Sequence, residues 1–256
     1  MCSVLKKYTG KVAIVTGASS GIGKAITEYL VKNGVIVAGV ARRLEKIEEH
    51  AKQLEKYSGK LHPFKLDLTK PEEIVNVFTK IAKQLGPIVI LINNAGLAQG
   101  GNIIDGDFEK WKLTLDTNVL ALAICSREAI KNMKENNTKG IIININSMFG
   151  HQIFDIPFLN VYQASKYAVT ALTETLRLEI NREKLPLKIT SLSPGYVKTE
   201  FTELALGREL AQKTTDSGLR PGLNADDVAE AVIYILSTPD HVNVKELTIC
   251  VQGYIG

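Results

Sequence analysis

The sequence is poor in cysteine and histidine. Its 256 residues include three cysteines, Cys2, Cys125 and Cys250, an odd number at distant positions, and only four histidines. None has the spacing of a metal site or a redox pair, so we assign no metal and expect a reducing compartment. The sequence also lacks a signal-peptide core near Met1 and any run approaching the roughly 18 apolar residues of a membrane span. We therefore expect a cytoplasmic protein without a membrane span.

Charge blocks, repeats and low-complexity tracts are also absent. The net charge is +4, but lysines and arginines are mixed with acids, and aromatic residues make up only 6% of the chain. Without a basic stripe or an aromatic platform, nucleic-acid binding is not expected. The hydrophobic fraction of 45% is typical of a globular protein, and the length predicts a single domain over residues 1–256.

A glycine-rich turn follows the first β-branched run. Residues 11–16 predict a strand and residues 24–32 a helix, with the spacing G-x-x-x-G-x-G between them. Glycines allow the backbone to approach a pyrophosphate, which the amides of a helix N-terminus bind. The alternative is that the turn needs glycine only for steric reasons. The candidate cofactor-binding residues here are Gly17, Ser19, Ser20, Gly21, Ile22 and Gly23.

Two arginines follow the second predicted strand, residues 35–40. An acidic residue at this place would bind the ribose 2′-hydroxyl of NAD. The sequence instead has Arg42 and Arg43, and guanidinium groups form bidentate hydrogen bonds with a phosphate. NADP is therefore the predicted cofactor. The alternative is that these arginines only open a charged helix.

Other candidate cofactor-binding residues follow later predicted strands. The run at 88–92 is apolar throughout, which is typical of a central parallel strand covered by helices on both faces. Ligands of such sheets bind at the carboxyl ends of the strands. Asp67 could lie near an adenine or could equally cap a turn. The candidates after these strands are Asp67, Leu68, Asn94, Ala95, Gly96, Pro194, Gly195, Val197 and Thr199.

Tyr162 and Lys166 lie four residues apart in a predicted helix over residues 162–180, so both face the same way. A phenol titrates near pH ~10, and lowering its pKa by about three units needs ~4 kcal/mol, more than an exposed lysine supplies. A partly dry cleft and a second cation are therefore expected. The alternative is a chance pair on an amphipathic helix. Ser147 follows a predicted strand at the same sheet edge, and Asn118 interrupts a helical pattern over residues 108–133, which alone only costs helix propensity.

Together, these motifs resemble the short-chain dehydrogenase/reductases of the compact cytosolic type, from about residue 9 to the end of the chain. The runs 119–135, 140–151, 162–179 and 227–239 resemble the insect farnesol dehydrogenase-like group and its vertebrate relatives that act on carbonyls and steroids. Ser147 and Tyr162 are 15 positions apart, slightly more than in many members, which predicts a bulge within residues 148–161.

The resemblance implies a fold and a set of roles. The fold is a single-domain α/β Rossmann type, a doubly wound parallel sheet with helices on both faces. By this resemblance, Tyr162 is the general acid and base, and Lys166 lowers the pKa of Tyr162 and holds the nicotinamide ribose. Ser147 binds the substrate oxygen, and Asn118 fixes a proton-relay water. Oxidised nicotinamide would be the second cation. A homodimer or homotetramer is also implied.

We therefore expect an NADP-dependent oxidoreductase that interconverts an apolar alcohol and its aldehyde or ketone. An isoprenoid alcohol such as farnesol, a steroid and a general carbonyl compound all stay open as substrates, and a catalytically silent NADP-binding regulatory protein is the alternative of another class. A flexible lid is expected over about residues 196–222, with glycines around Leu204, Leu206 and Leu210. The candidate substrate-lining residues, which could equally complete the core, are Met148, Phe149, Ile153, Phe154, Ile156 and Phe158.

Overall fold

Seven parallel strands form one sheet in the computed structural model, which describes residues 5–157, 159–201 and 222–253. The strands are β1 (Val12–Thr16), β2 (Ile36–Ala41), β3 (Lys60–Lys65), β4 (Ile88–Asn93), β5 (Gly140–Ile145), β6 (Leu187–Pro194) and β7 (Glu246–Ile249). Their order across the sheet is β3-β2-β1-β4-β5-β6-β7. The strands predicted over residues 11–16, 35–40 and 88–92 correspond to β1, β2 and β4 to within one residue at each end.

Helices connect the strands. The α-helices among the described residues are α1 (Gly21–Lys32), α2 (Leu44–Leu54), α3 (Pro71–Leu85), α4 (Phe108–Leu115), α5 (Ala121–Glu135), α6 (Tyr162–Arg182) and α7 (Ala225–Ser237). Helix α7 has the N-cap Asn224, whose backbone N–H donates to Asp227 Oδ2 at 2.7 Å in a capping box. Helix α3 begins with Pro71, a residue favoured in the first turn because its missing N–H is not needed there.

The core lies on both faces of the sheet. One buried cluster joins the sheet to α1, α2 and α7 through residues such as Leu30, Ile47 and Val232. The other joins it to α3, α5 and α6 through residues such as Phe78 and Met133. The central strands β1, β4 and β5 are buried along their whole length, because helices cover both of their faces. The predicted doubly wound α/β fold is confirmed.

The strand order reverses between β1 and β4. Strand β1 pairs with β2 on one side and with β4 on the other, so the connections on its two sides run in opposite directions. In sheets of this kind, ligands bind in the crevice at the carboxyl ends of the strands where the order reverses. Thr16 and Asn93 end the two strands at this crevice.

Two regions named in the sequence analysis fall partly outside the described residues. Phe158, one of the candidate lining residues, lies outside the described residues. So do residues 202–221, which include Leu204, Leu206 and Leu210 and make up most of the predicted lid. Within the ranges given above, no helix combines the length and the apolar character that crossing a bilayer requires.

Candidate active site

The predicted glycine turn connects β1 to α1 and has no room for side chains at two positions. A Cβ atom added to Gly17 would lie 2.9 Å from Asn94 Nδ2, and one added to Gly23 would lie 2.4 Å from both Asn94 Nδ2 and the Gly17 carbonyl oxygen. Gly17 and Gly21 also have φ angles of +69° and +52°, which favour glycine. The glycines therefore keep side chains away from the first amides of α1, as a pyrophosphate site requires.

Asn94 ties the end of β4 to this turn. Its Nδ2 donates to the Thr16 carbonyl oxygen at 2.8 Å, and Thr16 Oγ1 accepts hydrogen bonds from the backbone N–H groups of Asn94 and Ala95, both at 3.0 Å. Thr16 is 2% exposed, so these bonds satisfy groups that water does not reach. The sequence analysis missed this supporting role of Thr16 because only the fold brings the ends of β1 and β4 together.

Arg43 extends from the N-terminus of α2 across the glycine turn. Its Nη2 donates to Ser20 Oγ at 2.8 Å and to Ser19 Oγ at 3.4 Å. Its Nη1 pairs at 3.2 Å with Glu200, a residue that the sequence analysis did not single out. Arg43 therefore lies at the crevice, whereas Arg42 is exposed and helps to lower the pKa of Asp67.

Asp67 forms the turn after β3, one of the two possibilities that its sequence position left open. Its Oδ1 accepts hydrogen bonds from the Thr69 backbone N–H at 3.1 Å and from Thr69 Oγ1 at 2.8 Å. Burial tends to raise the pKa of Asp67, but these two bonds and nearby cations outweigh burial and lower it. The side chains of Ile22 and Leu68 are partly buried and pack against the two core clusters.

Tyr162 and Lys166 meet at the same edge of the sheet. Both begin α6, and Lys166 Nζ lies 5.8 Å from the centre of the Tyr162 ring. The same Nζ donates a hydrogen bond to the Ile145 carbonyl oxygen at 3.0 Å, which anchors the ammonium group at the end of β5. The predicted spacing of the pair on one helical face is confirmed.

Burial dominates the electrostatics of this pair. Tyr162 is 6% exposed, and burial raises its pKa above the ordinary value, while the nearby Ser147 hydroxyl acts more weakly in the opposite direction. Burial also lowers the pKa of Lys166 to about 8. The pair is therefore shielded from water, but the effect of this burial on the phenol pKa is opposite to the lowering that the family resemblance implies. Lowering the pKa of Tyr162 needs a further positive charge near the ring.

Asn118 lies in a π-helical turn, Asp116–Leu120, between α4 and α5. Its Oδ1 accepts from the Leu97 N–H at 2.8 Å, and its Nδ2 donates to the Leu97 carbonyl oxygen at 2.8 Å and to Ser165 Oγ at 3.0 Å. Ser165 Oγ in turn donates to the Tyr162 carbonyl oxygen at 2.7 Å. π-Turns within helices are frequent at functional sites. The Asn118 side chain thus joins the loop after β4 to the first turn of α6.

Gly96 brings the remaining parts of the site together. A Cβ atom on Gly96 would lie 3.3 Å from Asn118 Oδ1 and 3.8 Å from Lys166 Nζ. Asn118 and Lys166 therefore border the same small space, where a larger residue than glycine would intrude. Ser147 follows β5 directly, and its Oγ accepts a hydrogen bond from the Phe149 N–H at 3.3 Å.

An aromatic cluster covers Tyr162. The ring centres of Phe149 and Phe201 lie 6.0 Å and 5.6 Å from that of Tyr162, and Phe154 lies 5.2 Å from Phe149. Ile156 packs against the same small apolar cluster, whereas Ile153 is 63% exposed. Three of the predicted lining residues, Phe149, Phe154 and Ile156, are therefore close to the candidate site. Residues 148–150 form a 3₁₀ turn, and the bulge expected in this segment stays a prediction.

The segment after β6 returns to the glycine turn. Pro194 ends β6, and the Gly195 N–H donates to the Ile249 carbonyl oxygen at 2.8 Å. Val197 is buried and forms a bridge with Leu223. Thr199 packs against the start of α1, since a Cβ on Gly21 would lie 3.3 Å from the Thr199 side chain.

A glycine turn at the point where the strand order of a doubly wound parallel sheet reverses is the architecture of dinucleotide-binding proteins. The comparison with protein families is more specific. Residues 11–213 match the family model described as short chain dehydrogenase. The chain belongs to the short-chain dehydrogenase/reductase family of oxidoreductases, as the sequence motifs predicted.

Similar proteins span nearly the whole chain. A farnesol dehydrogenase of Aedes aegypti is 43% identical over 96% of this chain and 97% of its own length. Dehydrogenase/reductase SDR family member 11 of Homo sapiens is 42% identical over 95% of both chains. Among solved structures, a serine dehydrogenase complexed with NADP+ is 30% identical with a TM-score of 0.83, covering 93% of this chain and 94% of that one.

Proposed function

We propose that this protein is an NADP(H)-dependent enzyme that interconverts an apolar alcohol and its aldehyde or ketone. The observation that carries the proposal is the convergence of Tyr162, Lys166 and Ser147 at the crevice beside the glycine turn. In this assignment Tyr162 is the general acid and base and Ser147 binds the substrate oxygen. Lys166 holds the nicotinamide ribose and lowers the pKa of the Tyr162 phenol.

The residues of the glycine turn fit a dinucleotide. Gly17 and Gly23 leave a cradle that a Cβ would fill, and α1 has no acidic residue in its first turn to compete for its free amides. We assign the pyrophosphate to this cradle. The other residues assigned to the cofactor are Ser19, Ser20, Gly21, Ile22, Asp67, Leu68, Asn94, Ala95, Gly96, Pro194, Gly195, Val197 and Thr199.

The phosphorylated form of the cofactor is favoured by the charges at the crevice. Arg43 spans the serines of the glycine turn, Arg42 is exposed beside it, and no acidic residue occupies the end of β2. Guanidinium groups suit a 2′-phosphate rather than a hydroxyl. Two similar solved structures support this choice, because an alcohol dehydrogenase of Thermococcus sibiricus is complexed with 5-hydroxy-NADP and a serine dehydrogenase with NADP+.

The proposed chemistry is a proton transfer by Tyr162 coupled to a hydride transfer. When bound, the cofactor supplies or accepts the hydride and, in its oxidised form, adds the positive charge that the phenol needs. In reduction, Tyr162 and Ser147 donate hydrogen bonds to the carbonyl oxygen, and the phenol gives its proton to the forming alkoxide. In oxidation, the phenolate accepts the proton of the alcohol. The Asn118 side chain fixes the first turn of α6 through Ser165, and we assign Asn118 to positioning of a proton-relay water.

An apolar substrate is favoured by the aromatic cluster around the phenol. The rings of Phe149 and Phe201 pack against that of Tyr162, and Phe154 packs against Phe149. The 43% identity with an insect farnesol dehydrogenase supports an isoprenoid alcohol, and the 42% identity with SDR family member 11 leaves a steroid or general carbonyl compound as the alternative. A lid over residues 196–222 within one domain spanning residues 1–256 remains part of this proposal.

The assembly and location of the enzyme are also proposed. Leu115, Leu120 and Leu178 are 40–50% exposed on α4 to α6, and burial of such apolar surface between copies would support a homodimer or homotetramer. Cys125 and Cys250 are free thiols, which suits a cytoplasmic protein.

The proposal is tested by following NADPH absorbance with farnesal, steroid ketones and aromatic dicarbonyls. Consumption with one class and not the others would identify the substrate class. Binding of NADPH without consumption in either direction with any compound would instead favour a catalytically silent NADP-binding protein. NADH in parallel reactions tests the choice of cofactor.

A further inference from the structure

Three consecutive residues after β6 contact three different parts of the candidate site. Thr199 packs against Gly21 of the glycine turn, Glu200 pairs with Arg43, and the Phe201 ring lies 5.6 Å from that of Tyr162. Because both neighbours of Glu200 are packed, its carboxylate is held at the mouth of the crevice. The Glu200 carboxylate reaches the crevice from the side opposite to β2.

Glu200 binds two cations that both belong to the start of α2. Its Oε2 lies 3.2 Å from Arg43 Nη1, and its Oε1 lies 3.6 Å from Lys46 Nζ. Arg43 at the same time donates through Nη2 to Ser20 Oγ at 2.8 Å. One carboxylate therefore engages both Lys46 and the guanidinium group that we assign to the 2′-phosphate.

Resting on the assignment of Arg43 to the 2′-phosphate, we propose that Glu200 determines cofactor specificity by competing with that phosphate for Arg43 and Lys46. Binding of NADP displaces the carboxylate, and Lys46 becomes a further phosphate ligand. NAD has only a hydroxyl at this place and leaves the carboxylate paired with both cations. Glu200 therefore weakens the binding of NADP(H) and accelerates its release, while it has little effect on NAD(H).

The ion pair is suited to displacement. The side chains of Arg43 and Glu200 are 42% and 50% exposed, and ion pairs exposed to this extent are weak. A phosphate carries about −1.5 to −2 charges near neutral pH and forms bidentate hydrogen bonds with arginine, so it outcompetes a single carboxylate. The hydrogen bond from Arg43 is the main cause that lowers the pKa of Glu200, so the competitor is an anion at neutral pH.

The experiment measures dissociation constants of NADPH and NADH by titration calorimetry for the wild type, Glu200→Gln, Arg43→Gln and the double variant. We expect Glu200→Gln to bind NADPH about fivefold more tightly, with NADH unchanged within about twofold, as the loss of an exposed competing ion pair predicts. The gain should shrink in the Arg43→Gln background, where Glu200 competes with the phosphate for Lys46 alone. Glu45→Gln is the matched control, because Glu45 is exposed on the first turn of α2 and forms no ion pair with another described residue.

Three results would overturn the inference. NADPH binding that is unchanged or weaker in Glu200→Gln would exclude competition. An equal gain in NADPH affinity in Glu45→Gln would mean that the loss of any nearby negative charge has the same effect. A selective loss of NADH binding would mean that Glu200 binds the ribose hydroxyls. A different result would refute the proposed function itself: if Arg43→Gln weakens the binding of NADPH and of NADH equally, Arg43 does not bind the 2′-phosphate.

Discussion

Lys166 Nζ donates a hydrogen bond to the carbonyl oxygen of Ile145 at 3.0 Å. This bond joins the first turn of α6 to the end of β5, the strand that Ser147 follows directly. The ammonium group is therefore fixed between the two elements that supply the proposed acid and the proposed binder of the substrate oxygen. A rearrangement of either element would change the position of its charge.

The Tyr162 hydroxyl is the proposed proton carrier, so its removal tests the reaction itself. We expect Tyr162→Phe to lower kcat by about 10²- to 10⁴-fold, the usual contribution of a general acid, while NADPH binding is retained. Tyr167→Phe, on the same helix but 38% exposed, is the control and should keep full activity. Activity of Tyr162→Phe within tenfold of the wild type would mean that the proton comes from another group.

Burial of Lys166 makes the stability of the protein depend on pH. Its pKa falls from an ordinary 10.5 to about 8, so between these values the unfolded chain binds more protons than the native protein. The contribution of this residue to the free energy of unfolding therefore rises with pH across this window. Below pH 8, burial of the charged Lys166 destabilises the native protein by the full amount of about 3 kcal/mol. We expect Lys166→Met to be more stable than the wild type at pH 7, with a smaller difference at pH 9.

Urea denaturation at both pH values measures this difference. Lys52→Met, which removes an exposed lysine from α2, is the control for loss of a charge. A stability difference that is absent at pH 7, or that grows towards pH 9, would contradict the assigned burial cost of Lys166.

Much of the fold and of the site was predictable because the signals are local. An apolar run predicted the central strand β4, and the spacing of Tyr162 and Lys166 predicted their shared face. Each of these patterns is set within a few residues of the chain by the period of a helix or a strand. The ends of such elements then determine which residues meet at the sheet edge.

What the sequence did not predict depends on distant residues. Arg43 and Glu200, which form an ion pair, are 157 residues apart in the chain. Asn118 and Leu97, which are joined by hydrogen bonds, are 21 residues apart. The direction of the pKa change at Tyr162 depends on burial, which exists only after the aromatic side chains around it have packed. No local pattern encodes these contacts, because they arise when separate loops fold over one crevice.

The two arginines at the end of β2 test cofactor choice. We expect replacement of Arg42 and Arg43 by glutamine to raise the KM for NADPH at least about tenfold, since a charge-assisted hydrogen bond contributes about 1.5–3 kcal/mol, and to change the KM for NADH far less. Lys52→Gln, farther along α2, controls for lost charge. Equal changes for the two cofactors would refute the phosphate role.

Gly23 tests the pyrophosphate cradle. A Cβ at this position would lie 2.4 Å from the Gly17 carbonyl oxygen and from Asn94 Nδ2, so Gly23→Ala must displace the turn. We expect NADPH binding to be lost and stability to fall by about 1–3 kcal/mol, the usual cost of overpacking. Gly10→Ala is the control, because Gly10 has a φ of +71° but nothing within 4 Å of its added Cβ. It should lose stability through backbone strain and still bind NADPH with wild-type affinity.

Asn118 tests whether the π-turn supports the site through its side chain. Asn118→Ala leaves the N–H and the carbonyl oxygen of Leu97 without their partner, so we expect the free energy of unfolding to fall by about 3 kcal/mol. Asn136→Ala, an exposed asparagine at the end of α5, should cost less than about 1 kcal/mol. Because Asn118 also binds Ser165, which holds the Tyr162 carbonyl oxygen, kcat should fall while NADPH affinity is retained. A variant with wild-type kcat would show that the first turn of α6 keeps its position without Asn118.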